Sequence, residues 1–108
     1  MKYSQKAIEQ GVQCFHITGR RWTQKTTGNT YHTVIISAFV AGEWVELGKT
    51  TIHYGYGEQY MVTAGDWLIE NGWLEDAKRN GYDVASWRVR EELNITENVV
   101  DVNRKRDL

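Results

Sequence analysis

Residues 31–40 alternate strictly. His32, Val34, Ile36, Ala38 and Val40 fall on one side of an extended chain, and Tyr31, Thr33, Ile35, Ser37 and Phe39 on the other. Glu43 to Tyr54 mixes β-branched and aromatic residues with polar ones, and Ala41-Gly42 joins the two stretches. The pattern predicts a hairpin in which facing residues have numbers summing to about 83 to 85, with Gly48 a bulge that moves the register by one. His32 then faces Thr51, Ile52 or His53. The even-numbered side is the core face.

Upstream, Val12 to Thr18 alternates with Phe15 and Ile17 on one face, a half-buried strand. Ser4 to Gln10 reads as a short helix, with Ser4 as its cap and Gly11 past its end. Gly19 to Asn29 has loop composition. Past Glu58 the period becomes helical through Tyr60, Ala64, Trp67 and Leu68, and Gly72 is the stop. Trp73 to Asn80 suggests a second helical segment ended by Gly81, Asp83 to Leu93 fits helix or strand, and Ile95 to Val102 fits a last strand before a basic tail, Arg104-Lys105-Arg106-Asp107-Leu108. The fold class is therefore α+β: a small antiparallel sheet built on the central hairpin, one face covered by an amphipathic helix, with short helical segments besides. All 108 residues form one domain. The uncovered face, with Ile35 and Phe39, is apolar enough to predict a homo-oligomer, a dimer packed through the sheet. The N-terminal helix or the segment after Tyr82 is the alternative cover.

Charge narrows the choice of function. Thirteen Lys and Arg against fourteen Asp and Glu leave a net charge of −1, without the broad positive field of sequence-independent nucleic-acid binding. A single cysteine, Cys14, excludes an internal disulfide and a cysteine zinc cluster, and reads as a small buried hydrophobe. With no signal-peptide pattern and no run of about 18 apolar residues, a cytoplasmic protein without a membrane partner is expected. Gly48-Lys49-Thr50 lacks the earlier glycine of a phosphate loop, and Gly55-Tyr56-Gly57 lacks the third glycine of a dinucleotide fingerprint. His16, His32 and His53 all lie on predicted strands, where structural roles outnumber catalytic ones. No cofactor, catalytic group or metal set is assigned.

One constellation remains. The loop carrying Arg20, Arg21, Trp22, Lys25 and Asn29, the strand end at Tyr31 and His32, and the turn His53, Tyr54, Tyr56, Gly57 and Gln59 meet at the open end of the hairpin, where a helix begins. Aromatic rings suit a base; cations, glycine backbone and a helix start suit phosphate. The alternative is a tight strand-to-helix connection whose aromatics plug the sheet end.

The strings Arg21-Trp22, Gly28-Asn29-Thr30-Tyr31-His32 and Tyr54-Gly55-Tyr56-Gly57-Glu58-Gln59-Tyr60, with the ending Val102 to Leu108, resemble a family of small accessory proteins of tailed bacteriophages. The resemblance implies a bacterial host cell, and either sequestration of a host signalling nucleotide or blockade of a host protein. The leading expectation is a non-catalytic binder of a small phosphorylated nucleotide. An inhibitor working by direct protein contact comes second, and a small hydrolase or nuclease using His32 and His53 third.

Overall fold

A computed structural model describes residues 2–75 and 84–108. The elements in chain order are β1 (Lys2–Tyr3), α1 (Gln5–Glu9), β2 (Val12–Thr23), β3 (Thr30–Val40), β4 (Glu43–Lys49), β5 (His53–Tyr54), α2 (Gln59–Glu70), β6 (Leu74–Glu75), α3 (Trp87–Glu92) and β7 (Ile95–Val102), followed by a closing 3₁₀ turn, Lys105–Asp107. The main sheet runs β4-β3-β2-β7, and β5 takes up the β3 edge beyond the end of β4. β1 and β6 form a separate two-stranded ribbon. No helix among the described residues is long and apolar enough to cross a membrane.

The hairpin forms as its pattern dictates. Ala41 and Gly42 both take positive φ, 52° and 81°, the two-residue turn whose twist matches that of the strands. Facing residues sum to 83 from Val40–Glu43 to Ser37–Glu46, to 84 at Ile36–Gly48, and to 85 at His32–His53. The first slip is a bulge at Leu47, one residue before the expected Gly48, which itself pairs with Ile36. It places Gly48 beneath α2, where a Cβ would lie 2.4 Å from the Trp67 ring, so only glycine admits the helix at this distance. The long second strand of the sequence pattern is in fact two short ones. Thr50 interrupts it, donating its backbone N–H to the Val34 carbonyl while its hydroxyl accepts the Val34 N–H.

Helix α2 lies across the even-numbered face of β3. Phe15, Ile17, Val34, Ile36 and Ala38 from the sheet are buried against Tyr60, Met61, Ala64 and Leu68 from the helix, and Val89, Leu93 and Ile95 extend the core. Helix α1 is capped as expected, the Ser4 hydroxyl accepting from the Ala7 N–H. At the other helix stop Gly72 takes φ 77°.

Four expectations need correction. Gly19 to Thr23 is strand rather than loop: β2 continues beside β3 with Arg20 opposite Thr33, Arg21 opposite His32 and Trp22 opposite Tyr31. The stretch reads as polar because two of its core-face positions serve special contacts. Gly19 admits the Tyr60 ring, which a Cβ would meet at 2.6 Å, and Arg21 forms a salt bridge with Asp101. Second, Trp73 to Glu75 is not helical: Leu74–Glu75 pairs antiparallel with β1, and the rest of that expected helix, with Gly81, lies outside the described residues. Third, the sheet is only mostly antiparallel, since β7 runs parallel to β2. α2 and α3 lie between these strands in the chain, giving the long connection that a parallel pair requires. Fourth, Cys14 is half-buried rather than sealed in the core. Of the segment that fitted either helix or strand, Trp87–Glu92 is helix and Asp83 lies outside the described residues.

Candidate functional site

The sheet divides the predicted site residues between its two faces. Odd-numbered positions of β3 and even-numbered positions of β2 face away from α2, so Arg20, Trp22 and Tyr31 share that face, and Tyr54, opposite Tyr31, joins them. Arg21, His32 and His53 face the helix side with the Gly55–Gln59 turn. A single pocket using all twelve residues is thereby excluded.

On the helix side the polar groups are engaged in holding the turn. His32 is fully buried and bridges three elements: its Nδ1 lies 3.1 Å from the Gly55 carbonyl and its Nε2 2.7 Å from Thr63 Oγ1. A carbonyl only accepts, so Nδ1 carries the proton and Nε2 accepts from the Thr63 hydroxyl. Burial lowers the pKa of this imidazole, offset in part by the Gly55 carbonyl and reinforced by neighbouring His53. Arg21 meets both Asp101 carboxylate oxygens, at 2.8 and 3.2 Å, and donates to the Gly57 carbonyl at 2.9 Å. Its charge is thus already matched. Tyr60 donates to Glu97, which also pairs with Arg90 at 3.2 Å; burial first, then the Glu97 carboxylate, raise the Tyr60 pKa. The turn borders a cleft of about 560 Å³ lined by Tyr54, Tyr56, Gly57 and Gln59 among others, and among the described residues no cation lines it. His53, by contrast, is exposed, 6.0 Å from His32 ring to ring.

The opposite face carries an aromatic ledge. Trp22 and Tyr31 stack at 5.9 Å with 28° between planes, and Tyr54 meets Tyr31 edge-on at 5.6 Å. Tyr54 is 63% exposed and its hydroxyl reaches Asn29 Oδ1 at 3.5 Å. Arg20 occupies the next rung on the same face, and exposed Lys25 lies on the 24–29 loop that continues from Trp22. Tyr56, 78% exposed, projects from the glycine turn.

The chain matches no family model, no curated protein and no solved structure. Its function therefore has to be read from its own geometry.

The sequence pattern singled out neither Thr33 nor Lys49 nor the closing turn on the ledge face. Thr33 follows Tyr31 on the same side and was legible from the alternation, but an unremarkable threonine carries no signal of its burial. Lys49 and the closing turn were not placed beside it, because a tail's return across a sheet leaves no periodic trace. Thr33 is 3% exposed and its Oγ1 has no hydrogen-bond partner among the described residues. A buried hydroxyl without a partner costs about 1–3 kcal/mol. Thr33→Val, which keeps the shape and removes the hydroxyl, is accordingly expected to stabilise the fold by about 1 kcal/mol and raise Tm by roughly 4–8 °C. An unchanged or lower melting temperature would show that the hydroxyl has a partner.

Proposed function

We propose that the protein is a non-catalytic binder of a small phosphorylated nucleotide, and that the base stacks on the Trp22–Tyr31–Tyr54 ledge. The contiguous ledge on a sheet face that α2 leaves uncovered carries this reading. Stacking is tolerant of base identity and worth about 1–3 kcal/mol per base. Arg20 and Lys25 supply positive charge on that side, whereas Arg21, matched by Asp101, serves the fold. Binding without turnover is the chemistry of sequestration, one of the two roles that the resemblance to phage accessory proteins implies. Calorimetric titration with nucleoside monophosphates tests the reading. Trp22→Ala and Tyr54→Ala are each expected to weaken binding by about 5- to 100-fold, the loss of one stacking partner, and the ligand should be recovered chemically intact. Binding that survives both substitutions would place the ligand elsewhere.

A second reading, direct contact with a host protein, draws on the other end of the same face. Trp44, 54% exposed, packs on Phe39 at 5.2 Å, and with His16 and Ser37 it lines a depression of about 320 Å³. This apolar end would also be where a second copy packs.

A further inference from the structure

The buried Thr33 hydroxyl stands among donors that already hold oxygens. Arg20 is its direct partner across β2 and β3, and Lys49 pairs with Ile35 on the following rung of the same face. Across these rungs runs the closing turn: the Asp107 carbonyl accepts from Arg20 Nη1 at 3.3 Å, and the Leu108 main-chain oxygen accepts from Lys49 Nζ at 3.2 Å. Two cations thus hold two backbone oxygens beside a hydroxyl that has no partner among the described residues.

We propose that Arg20, Thr33 and Lys49 form a phosphate subsite, and that the closing turn is a strap which occupies it until a nucleotide's phosphate displaces it. The inference rests on the ledge reading and adds to it the phosphate position and a means of control. Spacing supports it. The Arg20–Thr33 rung lies two residues from the Trp22–Tyr31 rung, about 7 Å along the strands, the span a sugar bridges between a stacked base and its 5′ phosphate. Chemistry supports it too. A phosphate offers charged oxygens to both cations, a stronger acceptor for Arg20 than the neutral Asp107 carbonyl, and a further oxygen for the Thr33 hydroxyl that the strap leaves unmatched. The strap is built to be released: its two bonds to the sheet are at or beyond the long end of the hydrogen-bond range. The Arg104–Asp107 ion pair at 3.3 Å lies within the strap and does not tie it down.

The test is calorimetric titration of nucleoside monophosphates and of the matching nucleosides into three proteins: the full chain, a chain ending at Asn103, and the full-length Arg106→Gly/Asp107→Gly variant, whose glycines free the backbone of the turn at unchanged net charge. The last loosens the strap without shortening the chain, should the truncated form fold poorly. Both loosened proteins should bind monophosphates about tenfold more tightly than the full chain, since the strapped state no longer competes. Nucleosides, lacking the phosphate, should bind all three alike, and adding Thr33→Val to either loosened protein should erase most of the gain. If monophosphates bind loosened and full chains equally while nucleosides bind all, the strap is refuted and the ledge stands. If neither ligand binds any of the three, the ledge reading falls and the subsite with it.

Discussion

Replacing His32 by alanine is expected to cost about 3 kcal/mol, lowering Tm by roughly 10–20 °C, because three losses coincide. A fully buried ring is deleted, the Gly55 carbonyl loses its donor, and the Thr63 hydroxyl loses its acceptor. These contacts join β3, the β5–α2 turn and α2, so the turn should loosen before the rest of the sheet. His53→Ala, on the same rung but exposed, is expected to change stability by no more than about 0.5 kcal/mol. Thermal melts of the two variants separate a structural histidine from a surface one. Acid should act through the same ring. The folded-state pKa of His32 lies below the ordinary 6.5, so below 6.5 the unfolded chain binds the proton more readily than the folded one. The stability that the neutral ring contributes is complete above 6.5 and is lost as pH falls from there to the lowered folded value. This part of the pH dependence should be missing from His32→Ala.

Gly55→Ala is expected to destabilise by about 2–4 kcal/mol, combining backbone strain with a collision. Gly55 has φ 151°, a conformation few side-chain-bearing residues adopt, and a Cβ there would lie 2.3 Å from Gln59 Cγ and 2.7 Å from Gln59 Cβ. The first turn of α2 would have to move, carrying Tyr54 and Tyr56 with it. Gly57, two residues on, provides the contrast. Its φ is 61° but nothing lies within 4 Å of its Cβ position, so Gly57→Ala should cost only about 1 kcal/mol, the left-handed strain alone. Chemical denaturation of both variants measures the difference. Equal losses would mean that the crowding at Gly55 relaxes freely.

The hairpin, the α2 helix and the core face of β3 were legible because alternation and helical period report burial directly. His32 was correctly placed on that core face and opposite His53 as one of three options. Gly19 to Thr23 was not legible as strand. A glycine admitting a tyrosine ring and an arginine matched to Asp101 both look like loop chemistry until their distant partners are known. The same limit applied to the site. Arg20 and Arg21 are neighbours in sequence and were grouped together, yet adjacent residues on a strand face opposite ways. Recognising the strand would have separated them. The parallel placement of β7 and the return of the closing turn depend on long-range packing, for which local pattern carries no signal.

In the proposed complex the ligand lies on the helix-free face with its base on Trp22, Tyr31 and Tyr54. Isotope-edited NMR of the strap-deleted chain, titrated with a nucleoside monophosphate, tests this most directly. Shift changes are expected at the Trp22 indole N–H and at the Tyr31, Thr33 and Tyr54 amides, with intermolecular contacts from base protons to the Trp22 and Tyr31 rings. Changes confined to the Gly55–Gln59 turn and the α2 start, with Trp22 and Tyr31 unmoved, would contradict this placement.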